Sequence, residues 1–152
     1  MLTVVFGIII YIISFLGLWK MFEKADQSTP FLRALVPFWN LYTIFKISWN
    51  PAAFLGLIIL VVIEMVLGKT AIFHGLIGGM TGIGFFRGVS AGSGIAAVII
   101  SVLICIWLIV MWVKLAKAFG HGVLWGILMW ILPWIMTMIT GFGSSRYIGP
   151  RS

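Results

Sequence analysis

The sequence predicts an all-α membrane protein with four transmembrane helices and an interfacial or re-entrant, Pro-broken helical segment after the first span. Hydrophobic residues make up 62% of the 152 residues and charged residues only 9%. The apolar residues are gathered in four long runs, and charge occurs mainly between them. A soluble domain of this size leaves roughly a third of its unfolded surface in contact with water, so it could not bury this proportion of apolar residues. We therefore predict that residues 1–152 form a single integral membrane domain.

The four predicted spans cover residues 2–19, 52–68, 95–113 and 123–140. The first carries no charge, and at about 1.5 Å per residue it is just long enough for a hydrocarbon core of roughly 30 Å. Because it lacks preceding basic residues and a following small-residue cleavage site, it is predicted to be a retained helix and not a signal peptide. Pro51 is well placed to open the second span. Pro133 is expected to kink the fourth.

Residues 31–49 combine apolar and aromatic side chains with scattered polar ones, and Pro37 forbids a continuous helix across them. We predict two short helices, one on each side of Pro37, lying in or dipping into the membrane interface. Trp39 suits that depth because its body is apolar and its tip is polar. Asn40 can satisfy carbonyls freed by the proline, so it is predicted to clamp this segment to a span. The alternative is a solvent-facing turn residue.

The segment 69–94 is rich in glycine, and two structures remain open for it. Gly84, Gly88 and Gly92 lie four residues apart, which on a helix would form a smooth face for helix packing. Glycine is a poor helix former, so a loop is the favoured prediction.

The distribution of lysine and arginine predicts the orientation. With the N-terminus outside, the inner side would hold Lys20, Lys24, Arg33, Lys46, Lys114 and Lys117, and the outer side Lys69, Arg87, Arg146 and Arg151. This bias predicts both termini outside and the loop containing His121 in the cytoplasm. The net charge of +7 is spread over both faces, which favours contact with anionic lipid head groups and not with nucleic acid.

Glu64 is the one acidic residue within a predicted span. An ionisable residue in that position is a functional-site hypothesis by default. It lies near the end of its helix, however, where it could reach water or pair with Lys69 or Arg87. A structural role is the favoured prediction, and proton coupling is the alternative.

Other chemistry finds little support in the sequence. His74 and His121 have no neighbouring cluster of metal-ligating residues, so no metal and no cofactor is expected. Ser90 and Ser93 lie in a small-residue run that resembles the Gly-x-Ser-Gly of intramembrane serine proteases. A serine nucleophile needs a base within hydrogen-bond reach, and His74 is the one candidate. We expect no enzymatic activity.

Three sequence patterns carry a family resemblance. Residues 19–25 and 31–42 resemble a K-x-x-x-KAG…W-x-A-x-(I/V)-P-x-(Y/W)-N-x-Y pattern, residues 115–122 resemble LAKxFGKG, and residues 141–150 are similar to GFGxxxYxGP. Together they resemble a family of small multi-pass bacterial membrane proteins, a domain of unknown function also found fused ahead of signal peptidase I catalytic domains. The resemblance singles out the residues Pro37, Trp39, Asn40, Lys117, Phe119, Gly120 and Tyr147.

The resemblance implies a module of the bacterial cytoplasmic membrane with no established activity. The chain departs from the family pattern in the long segment 69–94, and at Asp26, where glycine is usual. Only 12 residues follow Thr140, which is too few for a peptidase domain, so we do not expect the peptidase activity.

The leading functional hypothesis is a non-enzymatic membrane module, an accessory or scaffold subunit that packs against a larger membrane complex or against itself. The alternative is a small proton-coupled transporter or channel that uses Glu64. The third possibility is an enzyme of the intramembrane serine protease type. The expected partners are the lipid bilayer and either another membrane protein or a second copy.

Overall fold

The computed structural model describes residues 2–67 and 95–150, which form seven α-helices and contain no strand. The helices are α1 (Leu2–Lys24), α2 (Pro30–Leu35), α3 (Pro37–Ser48), α4 (Pro51–Leu67), α5 (Ile95–Ala118), α6 (Val123–Ile131) and α7 (Pro133–Phe142). The all-α prediction is confirmed for these residues. The segment 69–94 lies outside them, together with the predicted packing glycines Gly84, Gly88 and Gly92.

One helix in the described part is long and apolar enough to cross a membrane, over Val98–Ala118. The apolar stretch of α4, Pro51–Val66, is shorter. The prediction of four spans is therefore not confirmed by helix length and composition.

The chain between α1 and α4 forms a helical hairpin. Val36 leaves the helical region at φ −87° and ψ 113°, and Pro37 begins α3, which confirms the predicted break. The first arm, α2, runs back along α1. The Phe31 ring lies 5.1 Å from that of Phe15, and Tyr11 donates a hydrogen bond to the Leu35 carbonyl at 3.0 Å. The predicted re-entrant segment is therefore a hairpin whose tip is at Val36.

The fourth predicted span, 123–140, is not confirmed as one continuous helix, because α6 and α7 also fold back on each other. Trp125 Nε1 donates to Thr140 Oγ1 at 3.1 Å. In a straight helix these residues would be about 22 Å apart. The reversal occurs at Leu132, with φ −127° and ψ 60°, directly before Pro133. Proline removes one helical hydrogen bond and its ring clashes with the preceding turn, and here the result is a reversal instead of the expected kink.

The C-terminal tail, residues 143–150, consequently returns to the end of the protein where α1 and α5 finish. The Ile148 N–H donates to the Ala118 carbonyl at 2.8 Å. The Ser145 hydroxyl lies 2.8 Å from His121 Nε2. The described start of α1 and the tail thus lie at opposite ends of the protein, and the predicted placement of both termini outside the membrane is not confirmed.

We call this end of the protein the basic end. It collects the basic residues of the described part, namely Lys20, Lys24, Arg33, Lys46, Lys114, Lys117 and Arg146.

The described helices form two units with the same arrangement, α1–α2–α3 and α5–α6–α7. Each unit starts with a long helix that ends in Trp-x-x-x-x-Lys-Ala, at residues 19–25 and 112–118. A Pro-broken hairpin follows in both. In each unit the first arm packs on its own long helix, while the second arm packs on the long helix of the other unit. The units are therefore interlocked through α3 on α5 and α7 on α1.

Glycines allow the closest helix contacts. A Cβ on Gly17 of α1 would lie 2.6 Å from the backbone carbon of Thr137 in α7, and one on Gly141 would lie 2.5 Å from the Gly17 carbonyl oxygen. A Cβ on Gly126 of α6 would be similarly close to the backbone of Val113 in α5. Small residues at these positions let backbones approach closely, a kind of contact that is also common between membrane helices.

Candidate functional site

The turn after α5 positions the first part of the candidate site. His121 N–H donates to the Ala116 carbonyl at 2.9 Å, and Gly120 N–H donates to the Lys117 carbonyl at 3.0 Å. This pair of bonds is a Schellman motif, which requires a left-handed residue. Gly120 supplies it, with φ +79°. The turn fixes His121 beside the start of α6 and leaves Phe119 buried in the core.

The C-terminal tail lies across this turn. The Tyr147 ring packs on Phe119 with centroids 5.5 Å apart, and the Tyr147 hydroxyl donates to the Ile47 carbonyl of α3 at 3.0 Å. Burial raises the pKa of Tyr147. The structure therefore brings together Phe119, Gly120 and Tyr147, three residues that the family resemblance singled out.

Lys24 joins the end of α1 to the end of α7. Its ammonium group donates to the carbonyls of Thr140 at 2.9 Å and Gly143 at 2.8 Å. A positive charge at a helix C-terminus is favourable because the carbonyls there lack intrahelical partners. Burial lowers the pKa of Lys24. Sequence reasoning counted Lys24 only for orientation, because its partners lie more than a hundred residues away.

His121 is held on both sides. Its ring stacks on that of Trp125 with centroids 4.3 Å apart, and Nε2 lies 2.8 Å from the Ser145 hydroxyl. Burial, and then the nearby charge of Lys24, lower the pKa of His121. We call Lys24, His121, Trp125, Thr140 and Ser145 the tail cluster. The distribution of basic residues predicts His121 and the tail on opposite sides of a membrane, whereas the structure joins them by a hydrogen bond.

A neutral imidazole beside a serine hydroxyl has two of the parts of a nucleophilic site. Such a site also needs a group that orients the base, most often a carboxylate. In residues 2–67 and 95–150, no hydrogen bond joins a carboxylate to His121, and the charge that acts on its ring is that of the Lys24 cation. The contacts of the tail cluster instead tie the tail to α1, α6 and α7. We therefore interpret the tail cluster as a structural junction.

Pro37, Trp39 and Asn40 lie together at the tip of the α2–α3 hairpin, away from the tail cluster. Asn40 is 6% exposed, and its Nδ2 donates to the Ala34 carbonyl at 3.3 Å. Asn40 thus joins the two arms of the hairpin, whereas the sequence predicted a link from this segment to a span. Trp39 is exposed, with the Arg33 guanidinium 5.2 Å from its ring centre.

Lys117 takes part in the turn through its backbone, because its carbonyl accepts the Gly120 hydrogen bond. Its side chain is half-buried in the last turn of α5. One turn earlier, the Lys114 ammonium lies 5.0 Å from the ring centre of Trp49.

Glu64 forms a second candidate site, between α4 and α5. Its side chain is 5% exposed, and the Ser101 hydroxyl donates to Oε1 at 3.1 Å. Among the residues that the structure describes, none forms a hydrogen bond with Oε2. The partners predicted from the sequence, Lys69 and Arg87, lie outside the described residues. Sequence reasoning missed Ser101, although a lone hydroxyl within an apolar helix was a signal.

The described residues contain no group of three or more His, Cys, Asp or Glu side chains that could hold a metal ion. The candidate serines Ser90 and Ser93, and the candidate base His74, fall in the segment that the structure leaves undescribed.

Comparison with known proteins locates one domain. No curated protein and no solved structure matches the chain. The model of a protein family matches residues 88–150, a range that includes α5, α6, α7 and the whole tail. A domain described as a family of unknown function (DUF5684) is therefore found in this part of the chain.

Proposed function

We propose that this chain is a non-enzymatic integral membrane module in which α1, α4 and α5 cross the bilayer. The observation that carries the proposal is the exposure of large apolar side chains along the outward faces of these helices. They include Ile8 and Ile12 of α1, Leu55, Ile59, Val62 and Val66 of α4, and Ile99, Val102 and Ile106 of α5. Soluble proteins rarely expose continuous apolar surface on this scale. Lipid tails would cover it without cost.

The two hairpins, α2–α3 and α6–α7, would enter the membrane from the basic end and return to it. Helical hairpins are compatible with membrane depth because their backbone groups bond within each arm, and protein neighbours cover the breaks. The excess of basic residues at one end favours the cytoplasm for that end. Basic groups over the rings of Trp19 and Trp49 suit head-group depth. The N-terminus would then be outside and the C-terminus inside the cytoplasmic membrane, and the resemblance implies a bacterial one.

Cysteine labelling in intact cells tests this topology. In a Cys105→Ala background, Ser28→Cys and Ser145→Cys should both resist an impermeant maleimide. Ser90→Cys, between α4 and α5, should be labelled. All three should react after the cells are permeabilised.

The position that separates the possible topologies is Ser145. If Ser145→Cys is labelled in intact cells while Ser28→Cys stays protected, the chain crosses the membrane a fourth time and the hairpin topology is refuted. If Ser28→Cys, Ser90→Cys and Ser145→Cys all resist the reagent in intact cells, the membrane proposal itself fails.

We further propose that the module is an accessory or scaffold subunit beside a larger membrane complex or a second copy. The support comes from α4, which packs mainly on α3 and α5 and leaves a long apolar face outward. Chromatography with light scattering in a mild detergent should give a protein mass above the 16.9 kDa of one chain. A strictly monomeric particle with no copurifying protein would contradict this part of the proposal.

A second candidate function is proton-coupled transport or conduction. The observation that favours it is the buried carboxyl group of Glu64, because ionisable residues inside a membrane commonly mark proton relays or ion pathways. Two Pro-broken hairpins are also compatible with a pathway, since broken helices at membrane depth often line one. This candidate depends on whether Glu64 can bind a proton.

A further inference from the structure

We propose that Glu64 and Ser101 form a proton-binding site between α4 and α5, with Oε2 of Glu64 as the atom that takes up the proton. The inference rests on the proposed membrane insertion of these two helices. It names the ligand and the second residue of the site, and it stands whether or not the chain transports a substrate.

The geometry distinguishes the two carboxyl oxygens. Oε1 accepts the Ser101 hydroxyl at 3.1 Å, which fixes the carboxyl group between the helices. Oε2 is buried and, within residues 2–67 and 95–150, has no hydrogen-bond partner. An unpartnered oxygen in a 5% exposed side chain has lost its water without a replacement. The described surroundings give the carboxylate only one hydrogen bond. A bound proton removes the negative charge that this single bond would otherwise have to stabilise.

No basic side chain in the described part compensates the negative charge of Glu64. The basic residues there lie at the basic end, where α4 begins at Pro51. Glu64 follows thirteen residues later, which places it about 20 Å along the helix. No described lysine or arginine makes an ion pair with Glu64. The ion pair that the described residues form joins Lys20 and Glu23. A proton is the smallest cation that can reach Oε2 between packed helices.

Dicyclohexylcarbodiimide tests the site directly, because this apolar reagent reacts with protonated carboxyl groups in apolar surroundings. The full chain, in detergent and in liposomes of phosphatidylethanolamine and phosphatidylglycerol, is treated over a series of pH values. Peptide mass mapping then locates the adduct. We expect one adduct per chain, at Glu64, and a yield that changes with pH as the proton is gained and lost.

The chain provides matched controls. Glu64→Gln should lose the adduct and keep its helical content, since the amide has the size of the protonated acid. Glu23 and Asp26 are exposed at the basic end and should react with a water-soluble carbodiimide plus an amine, which should spare Glu64. If the folded wild-type chain gives no adduct at Glu64 at any pH, the proposal is overturned.

Two further outcomes would also overturn the proposal. Suppression of labelling by sodium ions would mean that the site holds a metal cation. Labelling of Glu64 by the water-soluble carbodiimide as fast as that of Glu23 would mean that the Glu64 carboxyl group is charged and open to water. The cysteine labelling described above is repeated on the same preparations. A missing adduct in a chain with correct topology therefore counts against the proton site alone, and incorrect topology counts against the membrane proposal.

Discussion

Replacing Gly17 by alanine should destabilise the protein by about 2–3 kcal/mol, the upper part of the range of about 1–3 kcal/mol expected for overpacking a well-packed contact. The new Cβ would lie 2.6 Å from the Thr137 carbon and 2.7 Å from the Met138 nitrogen. Both atoms belong to the backbone of α7, so no side-chain rotation can relieve the clash. The two helices must separate, and the Lys24 contacts to the end of α7 would be stretched with them. Thermal unfolding in detergent, followed by circular dichroism, measures the loss.

Gly7→Ala is the matched control on the same helix. A Cβ at Gly7 meets nothing within 4 Å, so alanine should be neutral or slightly stabilising because of its better helix propensity. Gly141→Ala should behave like Gly17→Ala, because its Cβ would meet the Gly17 carbonyl. The two changes push the same pair of helices apart, so their combined effect should be smaller than the sum. Equal melting temperatures for Gly7→Ala and Gly17→Ala would show that α1 and α7 do not pack in this way.

The difference between the two hairpins shows what the sequence can reveal. The α2–α3 break was predictable because Pro37 lies in a segment with polar residues on both sides. Residues 123–140 contain an equivalent proline, but their composition is that of a span. Hydropathy is the same whether eighteen apolar residues cross a membrane or fold back within it. The contact that distinguishes them, Trp125 with Thr140, depends on tertiary structure.

The contacts of the C-terminal tail were only partly predictable for a similar reason. Motif resemblance singled out Phe119, Gly120 and Tyr147, and the structure places them together. It gave no sign that Lys24 binds the end of α7, because no local pattern connects residues so far apart in the chain. The repeated Trp-x-x-x-x-Lys-Ala at residues 19–25 and 112–118 was the available signal. Two units of the same kind imply two hairpins.

Replacing Lys24 by methionine should cost about 2 kcal/mol of stability at neutral pH, the scale of a hydrogen bond to a charged group. Methionine keeps most of the side-chain volume but cannot donate to the Thr140 and Gly143 carbonyls. Lys20→Met is the matched control one turn earlier. Lys20 makes a surface ion pair with Glu23, and such pairs contribute little. If the two variants melt at the same temperature, Lys24 does not hold the end of α7.

The same variant has a second, pH-dependent consequence through His121. Burial and the charge of Lys24 lower the pKa of His121 below its ordinary value of about 6.5, so the unfolded chain binds a proton more readily than the folded one. The stability contributed by the neutral imidazole is complete above about pH 6.5, and it is lost as the pH falls toward the folded-state pKa.

Lys24→Met removes the part of the pKa shift that is due to charge, so the pKa of His121 should rise toward its ordinary value while the effect of burial remains. The acid-induced fall in melting temperature between about pH 7 and pH 5 should then be shallower than in the wild type. His121→Gln should remove this component entirely, and Lys20→Met should leave it unchanged. If Lys24→Met lowers the melting temperature but leaves its dependence on pH as in the wild type, Lys24 stabilises only the end of α7. A shallower slope would show that one ammonium group anchors the helix end and also, in addition to burial, lowers the pKa of the neighbouring imidazole.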